Sequence, residues 1–342
     1  MANLLGDLIN PEKYQEPVNI LGFDLNHILD DLKQMYLIRR AEEIIAENVV
    51  TGVIKCPCHL GIGQEATAVG LSRFLQSTDR VFGGHRSHTH YLALRGSVYK
   101  LFAETLGRVN GCSKGMGGSM HLYDPSVGFG GSVPIVGASV PIATGAALAA
   151  KKDKSGDIAV SYLGDSACEE GSVQESFNLA SIMKLPIIFV VENNLFASHM
   201  HIDLRQPHNS TARFADAHGI PFKVVDGNNL TDIYKASEKA VMYCRKNKGP
   251  YFIEAMTYRW RGHVGPSEDI DVGVKRKHDL KTWKKRDPIK RLKDSLINKN
   301  IISRNDFKKI TKVIDKNLKE QWEEALKSPY PPKTLLSEII YK

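Results

Sequence analysis

Gly164-Asp165-Ser166 follows the apolar run from Ile158 to Leu163, and Glu192-Asn193-Asn194 follows a second apolar run from Pro186 to Val191. Each polar triplet therefore sits where a predicted strand ends. In open parallel α/β sheets the carboxyl ends of strands border the ligand crevice, so the Asp165 carboxylate and the Asn194 amide can converge on one point. What they could hold there is a hard cation. Mg²⁺ takes oxygen ligands in near-octahedral geometry and commonly fills part of its shell with phosphate oxygens. One carboxylate and one amide oxygen thus suit a metal diphosphate better than an all-protein cage.

The elements that must position this pair are legible in the flanking pattern. Strand 158–163, helix 170–183 and strand 186–191 form a βα unit that implies a parallel pair. Phe222 to Val225, a helix over 230–247 and Tyr251 to Thr257 continue the alternation. Further upstream, Asp24 to Val50 reads as a long amphipathic helix. Leu25, Ile28, Leu32, Met35, Tyr36, the Arg39 stem, Ala41, Ile44 and Ile45 recur at near-helical spacing, with Asp24 as N-cap. A shorter helix is predicted over 98–107, a largely irregular glycine-rich loop from Gly107 to Gly131, and a helix over 140–151. The expected fold is α/β, a parallel sheet flanked by helices. We divide it into an N-terminal extension (1–24), a main domain (25–280) and a helical C-terminal tail (281–342).

With 342 residues, 42% of them hydrophobic, the chain can bury one large core or two smaller ones. Its N-terminus, MANLLGDLINPEKYQEP, has no basic n-region, signal-quality apolar stretch or Arg/Ser-rich transit character, so a cytoplasmic protein is expected. The weakly charged stretch from Val127 to Ala150 is broken by Pro134, Pro141 and many small residues, which points to a buried segment and not a membrane span. Five cysteines without CxxC fit a reduced compartment. Cys56-Pro57-Cys58-His59 lacks further ligands at structural-zinc spacing and reads as a loop entering the site. Cys112, Cys168 and Cys244 read as small buried apolar residues. The net charge of +8 invites a nucleic-acid reading through Lys275-Arg276-Lys277-His278 and Lys284-Lys285-Arg286. Those runs interleave with Asp279 and Asp287 and lie beside no nucleic-acid motif, so a solvated basic face is expected, able to steer an acidic partner.

The run GDSACEEGSVQESFNLASIMKLPIIFVVENN resembles the thiamine diphosphate motif, which usually begins Gly-Asp-Gly and ends Asn-Asn. HLGIGQEA at 59–66, GHRSHTHYLALRG at 84–96, GCSKGMGGSMH at 111–121, PIVGASVPIATGAALA at 134–149 and TYRWRGHVGP at 257–266 extend the likeness. Together they resemble, in order, the α subunit of two-component 2-oxo acid dehydrogenase E1 enzymes, a family that includes pyruvate, branched-chain and acetoin dehydrogenase E1α. Several ordered motifs are far more specific than one. The resemblance implies thiamine diphosphate and Mg²⁺ as cofactors, with the metal on Asp165, Asn194 and the backbone carbonyl of Phe196. It also implies a diphosphate held by Arg86 and Arg259, whose planar forks suit phosphate oxygens. Val136 matches the segment beneath the aminopyrimidine, and simple core packing is its other reading. His263 matches the histidine beside the active-site channel; His59 and His88 match positions near the pocket. His85, His90 and His121 carry weaker signals, and the family pattern explains HRSHTH without a metal.

Departures from the pattern matter. Ser166 stands where the motif has its second Gly beside Gly164 and Asp165, so either φ is negative there or a small hydroxyl is accommodated. His85 replaces a common Tyr, which changes one diphosphate hydrogen-bond donor. Val264 stands where regulated mitochondrial members carry a phosphorylated Ser, so that control site is absent. In this family the Glu that activates the cofactor lies on a β subunit, and Glu169, Glu170 and Glu192 belong to the metal side. The resemblance therefore implies an α₂β₂ assembly, with a lipoyl acyltransferase (E2) receiving the acyl group where such a complex exists. Pyruvate and acetoin are both compatible substrates, and branched-chain acids are less favoured. An acyl transferase outside a lipoyl complex would use the same residues. A non-catalytic metal-binding subunit is disfavoured because Arg86, Asp165, Asn194, Arg259 and His263 occur together.

Overall fold

The computed structural model describes residues 4–270 and 276–340. Its principal sheet has six strands: β1 (Arg80–Gly83), β2 (Phe129–Ser132), β3 (Ala159–Gly164), β4 (Ile187–Asn193), β7 (Phe222–Asp226) and β8 (Tyr251–Met256). β5 (Phe196–Ala197) and β6 (Met200–His201) form a separate short antiparallel hairpin. In the sheet the order is β2-β1-β3-β4-β8-β7 and every pairing is parallel, as the alternating pattern implies. Unbroken apolar runs form its centre because both faces are covered. Ile188 and Val190 enter one core while Ile187, Phe189 and Val191 enter the other, the period of two expected of a strand.

One face is covered by α1 (Leu25–Val50), α2 (Glu65–Ser72), α3 (His88–Ala93), α4 (Val98–Thr105), α8 (Leu230–Arg245), α10 (Pro288–Asn298) and α11 (Arg304–Lys327). The other is covered by α5 (Ser139–Asp153), α6 (Gly171–Ile182) and α7 (Ala212–Ala217). Two shorter helices, α9 (Lys277–Trp283) and α12 (Thr334–Ile340), complete the described chain. Asp24 caps α1 as expected: its Oδ1 accepts from the N–H of Asn26 (2.8 Å) and His27 (3.2 Å). Neither the described N-terminal stretch nor the described C-terminal helices stand apart. Val18 and Ile20 join the α1 core, Leu5 packs with Trp283, and the tail helices bury Leu292, Leu296 and Leu318. Among the described residues no helix is long and apolar enough to cross a membrane.

The sequence pattern does not predict β1 or β2. Each has four residues, one opening on an arginine and the other reading FGGS, so neither carries an apolar run. The solvated basic face needs correction as well. Arg276 is fully buried and donates to the carbonyls of Arg259 (2.8 Å) and Arg261 (3.3 Å). Arg286, equally buried, pairs with Asp226 (2.8 Å) and lies over the Trp283 ring. Lys275 lies outside the described residues. Cys112 is half-buried, whereas Cys168 and Cys244 are buried as expected.

The glycine-rich segment after α4 contains no long element, yet it is held tightly. A single buried side chain, Glu104, accepts the N–H groups of Ser113 (2.7 Å), Gly115 (2.9 Å), Gly117 (2.7 Å) and Gly118 (3.1 Å). A Cβ at Gly111 would collide with Glu104, and one at Gly117 with the His121 carbonyl. The glycines are there because backbone must wrap a carboxylate at contact distance. Glu104→Gln places an NH₂ among donors and leaves N–H groups without an acceptor. It should cost on the order of 3 kcal/mol and speed amide exchange at Gly115 and Gly117, read by denaturant melts and hydrogen exchange. Unchanged protection at those amides would reject the role.

Candidate active site

The carboxyl ends of β1, β3, β4 and β8 open into a cavity of about 520 Å³. Register brings them level: Gly164 sits beside Glu192, and Asn193 beside Met256. The chain crosses from one side of β1 to the other between β2 and β3, so this is the switch point at which parallel sheets leave a crevice.

After β1 come His85 and Arg86, and after β8 come Arg259 and His263; His59 approaches from the loop before α2. Ligand atoms of His59, His85 and His263 lie within 4.8 Å of one another. Arg86 and Arg259 are both buried. Arg86 donates to the carbonyls of Leu60 (2.7 Å) and His263 (3.2 Å), and Arg259 to that of Ser198 (2.6 Å). Burial, reinforced by neighbouring guanidinium groups, pushes Arg259 down to about 9. Burial likewise brings Arg86 to about 10, with Glu42 and Glu192 opposing. The same desolvation, with Arg86 the next cause, depresses His59 to about 3, His85 to about 2 and His263 to about 4. A trio of neutral imidazoles resembles a transition-metal site, but an incoming cation would meet two guanidinium groups. The wall is built for an anion. Arg259 Nε and His59 Nδ1 are buried without a hydrogen-bond partner, and the Arg259 N–H is a donor that a polyanion would satisfy.

The opposite wall is acidic. Asp165 is buried at the start of a short 3₁₀ turn, Asp165–Glu169, and the backbone N–H of Asn194 donates to it. Burial raises the Asp165 carboxyl, and the charge of Arg205 pulls it back. Asn194 donates through Nδ2 to Gln64 Oε1 (3.4 Å) and accepts on Oδ1 from the N–H of Phe196 (3.3 Å). Leu195 and Ser198 adopt left-handed φ values of 71° and 50°, so the backbone bends sharply on either side of Phe196. Ser166 is not among the positive-φ residues, so its Cβ causes no backbone strain there. Val136 and Ile135 line the mouth and are 48% and 72% exposed.

Of the residues singled out from sequence, His59, His85, Arg86, Val136, Gly164, Asp165, Ser166, Asn194, Phe196, Arg259 and His263 all line this cavity. His88 is outside the lining. It is fully buried, with Nε2 2.9 Å from Ser119 Oγ and Nδ1 3.4 Å from Glu42 Oε1, where it ties α1 to the glycine loop. His90 is in the lining instead: its ring stacks on Tyr162 at 3.9 Å and its Nε2 lies 3.1 Å from Glu192 Oε2. Two residues along α3 turn a side chain to the opposite side of the helix, and HRSHTH offered both candidates. Arg205, which pairs with Asp165 and Glu169, lay in no motif. Cys56 and Cys58 face each other with Sγ atoms 3.9 Å apart, behind His59.

The histidine wall generates a pH dependence. The unfolded chain protonates these imidazoles below their ordinary value of 6.5, and the fold resists until about 4 or lower. Over that interval the unfolded state binds more protons, so stability falls as pH drops from about 6.5 toward about 4. The melting temperature should therefore decline across this window. The decline should be shallower in His85→Asn and in wild type with saturating inorganic diphosphate, which compensates the charge. Identical slopes in all samples would contradict the assignment.

A family profile described as "Dehydrogenase E1 component" matches residues 33–334. A protein of Rhizobium meliloti (strain 1021) named pyruvate dehydrogenase E1 component subunit alpha is 37% identical over 306 residues, 88% of this chain and 87% of its own length. A protein of Zymomonas mobilis with the same name is 36% identical over 309 residues, covering 90% and 86% of the two chains. The mitochondrial counterpart of Sminthopsis macroura is 34% identical over 321 residues, covering 94% and 85%. With a cationic crevice at the switch point of its parallel sheet and likeness spanning nearly the whole sequence, this chain belongs to the dehydrogenase E1 component family.

Proposed function

We propose that this chain is the α subunit of a two-component, thiamine diphosphate-dependent 2-oxo acid dehydrogenase that acts on pyruvate. The observation that carries the reading is the pairing, across one crevice, of a buried cationic wall with the buried Asp165–Asn194 edge. When bound, thiamine diphosphate would supply the nucleophilic carbon and the electron sink for loss of CO₂. The residues present fit it: Arg86 and Arg259 would neutralise the diphosphate, and the unpartnered Arg259 Nε would gain an acceptor. Asp165, Asn194 and the Phe196 carbonyl would hold Mg²⁺, the oxygen set that this ion prefers.

The remaining roles belong to this chain's own groups. Val136 presents an apolar side chain at the mouth, where it would orient the aminopyrimidine. His263 is neutral near pH 7, because burial and Arg86 disfavour its charged form, and can accept a proton on a ring nitrogen. An anion beside it would raise its basicity, so a bound diphosphate prepares His263 for acid–base work during acyl transfer to lipoamide. His59 and His85 would offer ring nitrogens at the same wall. His90, fixed by Ser87, Tyr162 and Glu192, lines the cavity without a free ring nitrogen.

The exposed Ile135 and Val136 lip leaves the crevice open on one side, which supports closure by a β chain that also brings the activating Glu. The working form is then α₂β₂, with a lipoyl acyltransferase as acyl acceptor. The names of the relatives support pyruvate over acetoin, and the bacterial ones fit a cytoplasmic location.

The test is Mg²⁺-dependent thiamine diphosphate binding and pyruvate-dependent dye reduction, with and without the β chain. Turnover is expected only in the two-chain mixture, and Asp165→Ala should weaken cofactor binding on the order of 100-fold or more. Full turnover by the α chain alone would reject the two-component reading, and turnover of acetoin without pyruvate would reassign the substrate.

A further inference from the structure

Asp165 supplies the one carboxylate in the metal site described above, yet its Oδ2 is already taken. Arg205, whose side chain is only 7% exposed, pairs through Nη2 with Asp165 and through Nη1 with Glu169 Oε1. A divalent cation on that carboxylate would sit close to the guanidinium, and the like charges repel strongly where water is excluded. The two therefore compete for Asp165.

The surroundings say where Arg205 goes. Glu169 lies at the rim, 33% exposed at its side chain, and offers a carboxylate that Arg205 already touches. Gln206, the next residue, donates to the same Glu169 oxygen and to the Asp165 carbonyl (3.4 Å). Arg205 Nε is buried without a hydrogen-bond partner, so the pairing with Asp165 leaves the guanidinium incompletely satisfied. Arg205 also belongs to the segment that carries Asn194 and Phe196. Within it, the Ile202 N–H donates to the Leu195 carbonyl (2.8 Å) and the Arg205 N–H to the Ile202 carbonyl (3.1 Å). Two candidate metal ligands and the competing cation therefore ride on one short stretch of backbone.

We propose that Arg205 is an internal counter-ion for Asp165, holding the carboxylate until a divalent cation binds and then moving wholly onto Glu169. This rests on the Mg²⁺ assignment made above. Arg205 sets the affinity for the metal: occupancy of Asp165 by the guanidinium lowers the fraction of protein competent to bind, and Glu169 raises it again by giving Arg205 somewhere else to go.

Mn²⁺ serves as the probe, counted by the electron spin resonance of the free ion, on the full chain with its β partner and saturating thiamine diphosphate. Arg205→Gln should tighten Mn²⁺ binding by about threefold or more, and Glu169→Gln, a rim substitution with little structural burden, should weaken it by a similar factor. Unchanged or weaker binding in R205Q, or tighter binding in E169Q, overturns the proposal. Asp165→Asn separates the two readings. Loss of saturable Mn²⁺ binding in D165N upholds the metal ligand, whereas wild-type binding there removes the Mg²⁺ assignment and Arg205's role with it.

Discussion

The structure depends on buried positive charge that its own carboxylates do not neutralise. Elsewhere in this chain Arg39 is paired with Glu65, and both Arg286 and Arg291 with Asp226 at 2.8 Å, while buried Arg276 donates to the carbonyls of Arg259 and Arg261. Among the described residues Arg86 has no carboxylate partner, and Arg259 has only a long one. Their hydrogen bonds go to backbone carbonyls, and the nearest carboxylate to Arg259 is Asp269 at 3.6 Å. Unpaired burial costs several kcal/mol per ion even after relaxation, so Arg86 and Arg259, lining the crevice at the carboxyl ends of the strands, stand where an anion from outside would relieve that cost.

Holding such a wall requires rigid supports, and each support is a specific contact. α1 contributes twice. Arg39 stacks over Trp260 at 4.1 Å, one residue from Arg259, and Glu42 accepts the Gly61 N–H at 2.8 Å, two residues from His59. Gly63 has φ 98°, and a Cβ there would press into the Trp260 ring, so the loop carrying His59 can pass only without a side chain at that point. On the far side Glu104 gathers the glycine loop, and Ser119 on that loop reaches His88. The helix that the sequence marks most clearly as amphipathic thus does more than fill a core; it fixes the backbone that aims the cations.

How much of this could be read from sequence follows from the range of the interactions. Strands β3, β4 and β8 are mostly apolar, and Asp24 caps a periodic helix, so they are local signals and match the structure closely. β1 and β2 are strands only because their neighbours pair with them, and nothing in RVFG or FGGS announces it. Motif likeness located much of the lining, because those residues sit at strand ends where spacing is fixed. It missed Arg205, which reaches Asp165 from a segment with neither periodicity nor motif, and Glu104, whose role depends on amides up to fourteen residues away. His88 and His90 show the limit of resolution: composition places histidine in α3, but only the helix's rotation decides which one meets the cavity.

The two walls together restrict the ligand more than either does alone. A cationic wall by itself would accept any phosphate, and an acidic edge any divalent ion. Here Arg86, Arg259 and the histidines face Asp165 and Asn194 across a single crevice, with Ile135 and Val136 forming an apolar lip. A free diphosphate would meet Asp165 with like charge, and a free cation would meet two guanidinium groups. A metal diphosphate joined to an apolar ring presents each wall with the group it lacks. The field of the crevice therefore selects the assembled cofactor over its parts, and Arg205, by covering Asp165, adds a further positive charge against a bare cation arriving alone.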